Sequence, residues 1–588
     1  MAIWKQRSFS NIINQNNAMP DLVWRFLSQR VQNEKEIDQI LNPKLTDLKD
    51  PFSILNMDKA VDRLVQAYLN NEKICIYADF DLDGTSGLAI LNLGLKKIGF
   101  KNVVHYQPKR LAEGYGFHPQ AVADLHQQDV KLIITVDVGI TSFAAFEMAK
   151  KLNVDAILTD HHLPLEKLPQ AYCIVNPNQM NCQSGLKYLC GAGVAFYLLR
   201  ALKRRFHEQA DLPKNIFDLK EVLDFFCIGT LTDMVPLIGD NRVLVKHGML
   251  ALQNTNKPGL RELLDRLNLL GRDLTSQDVA IKFAPKLNAL SRMESEVLPR
   301  DIYLETDSEN AKILVNKMMK NNETRQSLQH SSVEKAEAIL ASWSYKDFNF
   351  ISSTHFHRGI IGLIATKIAN DTNRPTFIGS EDNEGMIVGS SRLPNGYDGN
   401  LVTAMSSAAV NLNRFGGHAA AAGFELPVLK TQNFIKALDK YFTELKLVHK
   451  KIEIEYDAEA KLSELNAANM KWYNFTGPYG VGFSIPIYRF NNLKIISAKE
   501  IKGGHVKMTV EDFTKRFNEN LSENLTNKCK VDILYFTPPE EKKNLILQHS
   551  KNGKNSDTLI DILGEIQINY FNKSESVQIL MKDFLIHD

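Results

Sequence analysis

The sequence predicts an α/β protein built on a parallel sheet, with a small β-barrel in its C-terminal part. Three observations carry this. At 74–87, ICIYADFDLDGTSG, an apolar run of strand length breaks into alternating acids and a Gly-Thr-Ser turn. Leu88, Leu91, Leu95 and Ile98 then recur at helical spacing. Further strand-like runs alternate with helical ones, the signature of βαβ units. From about residue 451 that pattern gives way to short strand-like segments separated by turns.

A chain of 588 residues exceeds one core, and about three or four domains are expected. Apolar content of 44% and charged content of 23% are those of a folded soluble protein. The net charge of +2 is small, so any nucleic-acid surface must be local. Near the N-terminus SNIINQNN is polar where a signal peptide would be apolar, and no apolar stretch is long enough to cross a membrane. The six cysteines, Cys75, Cys173, Cys182, Cys190, Cys227 and Cys529, include no Cys-x-x-Cys pair. They are expected to be reduced thiols of a cytoplasmic protein.

Taken in order, 1–50 reads as mixed helix and loop without visible chemistry. The strand at 74–78 then delivers Asp79, Asp81 and Asp83 to its carboxyl end, where ligands of open α/β sheets bind. Acids crowded there repel one another unless a cation neutralises them, and Mg2+ or Mn2+ suits carboxylate oxygens. The competing reading is a solvated acidic turn capping the helix. KNVVHYQPKR next runs into the Gly-rich LAEGYGFHP, which with Lys109 and Arg110 brings Tyr115 and His118. LIITVDVGIT gives a second buried strand ending in Asp137, with Gly139 after it. VDAILTDHHLP ends a third in Asp160, His161 and His162. Three strands thus deliver carboxylate or imidazole at the same relative position. In VLDFFCIGTLTDMVPL, Asp233 follows an apolar run that is strand or helix by periodicity, so Asp233 is either a site residue or a helix cap.

From 307 to 343 the chain is polar and free of Pro and Gly, and reads as one or two helices linking lobes. Beyond 451, LKIISAKEI, HVKMTVED, KVDILYFT, TLIDILGEIQINYF and VQILMKDFLI make five β-segments, the number of an OB-like barrel. Such barrels bind single strands with basic grooves and stacking aromatics. Tyr479, Phe483, Tyr488 and Phe490, with Arg489 among them, are the candidates, against the competing reading that most aromatics of a small barrel are core, so none is assigned individually. SENLTNK and SKNGKNSDT read as mobile loops.

Asp79-x-Asp81-x-Asp83-Gly, Val136-Asp137-x-Gly139, Asp160-His161-His162 and Gly229-Thr230-x-x-Asp233 are, in order, similar to the four motifs of the DHH phosphoesterase superfamily. With LCGAGVAF and PKLNALSRM the chain resembles the RecJ-type single-strand-specific exonucleases of that superfamily. FHRGIIGLIATKIAND, GSSRLP and FGGHAAAAGF resemble the DHH-associated (DHHA1) domain, a second α/β lobe. The resemblance implies an N-terminal extension (1–50), a DHH catalytic domain (51–306), a connecting helix (307–343), a DHHA1 domain (344–447) and an OB-like nucleic-acid-binding domain (448–588). So many carboxylates and imidazoles at one sheet edge suit two divalent metals, Mn2+ or Mg2+, clamping the attacking and leaving oxygens of an in-line displacement.

By motif matching, Asp81 and Asp83 belong to different metals and Asp137 bridges them. His161 and Asp233 complete the second site, and Asp79 is either a direct ligand or a support. Asp160 orients His161, and His162 lies near the phosphate as a donor or proton carrier. Arg110, Tyr115, Arg292, Arg325, Ser390, Arg392, Gly417 and His418 are the implied phosphate- and DNA-binding positions. The glycines of Gly389-Ser390-Ser391-Arg392 and Gly416-Gly417-His418 either bring backbone N–H groups to an anion or make tight turns.

Three departures from the family pattern stand out. Val138 replaces a frequent Cys, Lys286 an Arg and Ser291 a Gly, and none removes a metal ligand. The resemblance implies 5′→3′ degradation of single-stranded DNA by a cytoplasmic monomer in recombination and repair, alongside a RecQ-type helicase and a single-strand-binding protein. The alternatives are a phosphodiesterase of short oligonucleotides or a non-catalytic single-strand-binding scaffold. The long β region argues against the first, and the complete ligand set against the second.

Overall fold

The structure is a computed structural model and describes residues 3–7, 19–209, 212, 217–445, 453–512, 529–551, 559–571 and 574–587. The polar stretch SNIINQNN, the expected loop SENLTNK and most of SKNGKNSDT lie outside the described residues. Contacts divide the chain into two compact units, Leu45–Lys450, and Met1–Lys44 together with Lys451–Asp588. No described helix is long and apolar enough to cross a membrane, and all six cysteines are free.

The larger unit opens on a five-stranded, wholly parallel sheet. Its spatial order is Val103–Tyr106, Ile74–Ala78, Leu132–Val136, Asp155–Thr159, Cys173–Val175. The central strands are apolar throughout because both faces are covered. Ile74, Ile76 and Ala78 point into one core, while Cys75 and Tyr77 point into the other. Helix Leu82–Ile98 packs on Gly191–Glu208 and on Leu223–Thr232. The run before Asp233 is therefore a helix, and its residues are buried all round from Leu223 to Leu231. That is why the run carries no periodic signal.

The polar stretch after the parallel-sheet lobe is one helix, Ser308–Leu340, about 50 Å long at the α-helical rise. Asp307 caps it by accepting from the Asn310 N–H. The second lobe is a mixed five-stranded sheet in the order Arg414–Gly417, Ala421–Pro427, Met386–Arg392, Thr376–Glu381, Asn349–Ser353. It closes over a core of Phe348, Phe350, Phe377, Phe424, Phe434 and Phe442.

The smaller unit is a closed barrel. Ile487–Ile501, His505–Asp512, Lys530–Tyr535, Ser574–His587 and Leu559–Phe571 pair in that order, and the last pairs back on the first. The third and fourth strands of the circuit run parallel, and helix Glu540–Lys551 precedes Leu559–Phe571 in the chain, which is OB topology. Helices Asp21–Leu27 and Glu34–Leu41 belong to this unit: Val23, Phe26, Leu27, Ile37 and Ile40 share the barrel's core. Tyr488 and Phe490, candidates for base stacking, are instead fully buried core residues. Their alternation along the strand aims both rings inward, and Arg489 between them pairs with Asp561. Tyr479 and Phe483 stack on each other with centroids 5.7 Å apart, and Phe483 also lies under Arg30.

Candidate active site

The strand Ile74–Ala78 hands directly to the helix Leu82–Ile98, and the residues at this junction, from Asp79 to Asp83, set the site. Asp81 is the N-cap, its Oδ1 accepting from the Asp83 N–H (2.9 Å) and the Gly84 N–H (3.0 Å). A Cβ on Gly84 would lie 2.5–2.9 Å from the Asp79 backbone, so only glycine lets the helix start this close to the strand. The Asp83 carboxylate accepts from the Gly191 N–H (2.6 Å) and the Ala192 N–H (2.8 Å), at the positive end of Gly191–Glu208. A Cβ on Gly191 would stand 2.4 Å from the Asp137 Cβ. Glycine in LCGAGVAF therefore lets a helix terminus dock against two acids at once.

Asp137 follows its strand with φ 62°, in the left-handed region. Asp160 reveals a correction. Its Oδ1 accepts from the backbone N–H of His161 (2.7 Å) and His162 (3.0 Å) and meets His162 Nδ1 at 2.7 Å. It thus orients His162, not His161, because its carboxylate folds back over its own turn. Asn176 and Asn178, which sequence reasoning missed, hold the carbonyls of His162 and His161 from the turn after the next strand. His161 Nε2 is left facing Asp137 (3.2 Å), Asp233 (3.6 Å) and Asp83 (3.8 Å). Asp233 is the C-cap of Leu223–Thr232, where a carboxylate opposes the helix dipole. The Tyr115 hydroxyl lies 3.4 Å from both the Asp137 carbonyl and His162 Nδ1.

Three overlapping donor sets result, Asp79–Asp81–Asp137, Asp83–His161–Asp233 and Asp137–His161–His162, each with ligand atoms within 4.8 Å of one another. Asp79 Oδ1, Asp137 Oδ1, Asp233 Oδ2 and His161 Nε2 are buried without a hydrogen-bond partner among the described residues. Buried polar atoms are ordinarily satisfied, so four unsatisfied atoms converging here fit a pair of hard divalent cations.

The electrostatics agree. Burial, then repulsion from Asp81, lifts Asp79 to about 8. Burial, then Asp83 and Asp81, lifts Asp233 to about 8 and Asp137 well above the carboxylate range. Burial lowers His161, which favours the neutral imidazole that a metal ligand needs. Burial would also lower His162, but its hydrogen bond to Asp160 wins and raises it to about 9.

This charge pattern makes the cation-free protein sensitive to pH. Carboxyls with raised folded-state pKa values bind protons that the unfolded chain has lost above about pH 4, so stability falls as pH climbs toward about 8. The unfolding temperature in EDTA should fall across that window, and Mn2+ should raise it more at about pH 8 than at about pH 5. An Mn2+ shift that is the same at both would count against cation binding by these carboxyls.

Arg110 lies within electrostatic reach of Asp79 and Asp81, and Arg292 within reach of Arg110, Arg325 and Arg392. Burial, then Arg110, Arg325 and Arg392, lowers Arg292 to about 10. Arg292 donates to the Gly359 carbonyl (3.1 Å), and Arg325 donates to Asn322 (2.7 Å) and Gln329 (2.8 Å). Arg392 donates to Ser390 Oγ (2.8 Å) and the Ser391 carbonyl (2.7 Å). Gly389 is neither a turn nor an anion cradle. It sits inside Met386–Arg392, where a Cβ would strike the Phe424 ring at 2.0 Å. Gly417 and His418 stand at an exposed hairpin turn, and no hydrogen bond or ion pair among the described residues links them to the arginines or the acids.

Residues 73–230 match the family model described as DHH family, N-terminal domain, 346–444 that of the DHHA1 domain, and 456–583 that of the RecJ OB domain. The chain is 30% identical over 511 residues to a single-stranded-DNA-specific exonuclease RecJ of Haemophilus influenzae, covering 84% of this chain and 87% of that protein. It is 30% identical over 556 residues to one from Bacillus subtilis, covering 93% and 66%. Among solved structures it is similar to RecJ of Thermus thermophilus in complex with Mn2+, with a TM-score of 0.74 at 24% identity over 98% of this chain and 80% of that one. It is also similar to an exonuclease RecJ bound to manganese, with a TM-score of 0.56 at 31% identity over 66% and 95%.

Proposed function

The chain belongs to the RecJ family of single-stranded-DNA-specific exonucleases, and on that premise we propose that it hydrolyses single-stranded DNA from the 5′ end with two Mn2+ or Mg2+ ions. The observation that carries the chemistry is the convergence of unsatisfied Asp79, Asp137, Asp233 and His161 atoms at the sheet's carboxyl edge. Asp79, Asp81 and Asp137 would hold one cation, and Asp83, His161 and Asp233 the other, with Asp137 shared. When bound, the pair supplies an activated nucleophile and neutralises charge on the scissile phosphate. Gly191 and Ala192 fix the Asp83 carboxylate. Asp160 holds His162 beside the cluster and favours its protonated form, which would donate to a phosphate oxygen.

The arginines come from the catalytic lobe, the long helix and the second lobe. This supports a pocket for a terminal phosphate, with Arg110, Arg292 and Arg392 as its cations, Ser390 beside Arg392, and Arg325 toward the strand's path. Such a dianion carries nearly two charges at neutral pH against one for an internal diester. End-labelled single strands of varied length, digested with Mn2+ or in EDTA, test the proposal. Release of 5′-terminal nucleotides from long strands only with metal is expected, whereas 3′-terminal release or hydrolysis confined to dinucleotides would reject it.

The barrel adds strand contacts but no ligand. Removing 451–588 alone would uncover the apolar faces of Asp21–Leu27 and Glu34–Leu41, so the informative fragment is 45–450. Base stacking is worth ~1–3 kcal/mol per base. The fragment should therefore bind long single strands about tenfold to a hundredfold more weakly while still cleaving short ones. Unchanged affinity for long strands would remove this role from the barrel. Family membership is also the ground for proposing a cytoplasmic monomer that works in recombination and repair beside a RecQ-type helicase and a single-strand-binding protein.

A further inference from the structure

Three of the four clustered arginines are tethered through their own N–H groups, and one is not. Arg292, Arg325 and Arg392 each donate to a carbonyl or a side chain. Arg110 makes no hydrogen bond or ion pair among the described residues. Its guanidinium carbon instead lies over the Phe80 ring, 5.0 Å from the centroid. An aromatic face attracts a guanidinium through its quadrupole and leaves the planar fork of N–H donors unspent. A hydrogen-bonding tether would consume them.

We propose that Phe80 is a positioning residue, its ring presenting Arg110 with every donor free to the terminal phosphate of the incoming strand. This rests on the phosphate-pocket reading above and extends it to a residue with no polar atom. Phe80 stands between Asp79 and Asp81, at the strand-to-helix junction itself. The Asp79 N–H is bonded to the Val136 carbonyl (3.2 Å), and Asp81 caps the helix, so the backbone on both sides of Phe80 is pinned. The ring's position is therefore set by the same turn that sets the two carboxylates. Arg110 is drawn toward Asp79 and Asp81 and repelled by Arg292 and Arg392. A fixed apolar platform holds it between these opposing pulls. End recognition and the acidic cluster are thus kept in register within one stretch of backbone.

The experiment measures steady-state kinetics on 5′-phosphorylated and 5′-hydroxyl single strands for wild type, Phe80→Leu, Phe80→Tyr, Arg110→Ala and the Phe80→Leu/Arg110→Ala double variant. Phe80→Leu is expected to lose about tenfold in preference for the phosphorylated end, through KM rather than kcat. Phe80→Tyr keeps the aromatic face and should retain the preference. Phe80→Leu should add nothing to Arg110→Ala, because the ring acts through that guanidinium. Mn2+-induced thermal shifts are recorded alongside. A Phe80→Leu protein that no longer responds to Mn2+ would mean the ring serves the acidic turn, overturning a role through Arg110. Preference surviving Phe80→Leu, or a further loss in the double variant, would overturn this inference alone. A wild type and Arg110→Ala both indifferent to the 5′ phosphate would overturn the pocket reading with it.

Discussion

Asp137→Asn should abolish hydrolysis and leave a folded protein that is more stable than wild type without cations. Asp137 belongs to the first proposed ion site and its Oδ1 lies 3.2 Å from His161 Nε2 of the second, so losing its charge weakens both together. Electrostatic stabilisation worth several kcal/mol is removed, and a fall on the order of 10³-fold or more in rate is expected. Asparagine is the informative replacement because the backbone here has φ 62°, which Asn tolerates better than Ala does. Burial and four neighbouring acids, Asp83, Asp81, Asp79 and Asp160, hold the native carboxyl well above its ordinary pKa, so neutralising it relieves repulsion in EDTA near pH 8. Asp83→Ala gives the opposite stability result. Its carboxylate receives the Gly191 and Ala192 N–H groups, and orphaning them costs about 1–3 kcal/mol. Substantial residual activity in purified Asp137→Asn protein would defeat the two-cation assignment, and a destabilised Asp137→Asn would defeat the repulsion argument.

The second large effect concerns the strand's end. Wild type should favour a 5′-phosphate over a 5′-hydroxyl by about tenfold or more, and Arg392→Ala should lose most of that difference. A hydrogen bond to a charged group contributes roughly 1.5–3 kcal/mol. Nη1 of Arg392 is committed to Ser390 and Ser391, which aims the remaining edge of the fork. Ser390→Ala, which frees rather than removes the guanidinium, should cost less than Arg392→Ala. Equal rates on both ends in wild type would reject the pocket whatever the variants do.

Much of this was legible in the sequence, for local reasons. A strand, an acidic turn and a helix occupy consecutive residues at 74–98, and three strands ending alike point to one sheet edge. What escaped was non-local or ambiguous at short range. Asp160 can serve either following histidine by spacing, and only the fold of its turn selects His162. The helix before Asp233 is buried on every side, which erases the periodicity that would have announced it. Gly389 reads as a turn beside Ser-Ser-Arg, yet it answers to a phenylalanine on a neighbouring strand. The burial of Tyr488 and Phe490 was available from their two-residue spacing once that segment is taken as a strand.

Helices Asp21–Leu27 and Glu34–Leu41 share a core with strands that begin beyond residue 450, and this bears on how the protein is made. Translation proceeds at ~5–20 residues per second, so about 400 residues separating these partners amount to roughly 20–80 s on the ribosome. During that interval Val23, Phe26 and Leu27 have emerged while the barrel that covers them is still unsynthesised. The larger unit, continuous in sequence, can fold meanwhile. The nascent chain thus carries an apolar segment in waiting, a natural client for a chaperone that binds short hydrophobic stretches until synthesis is nearly complete.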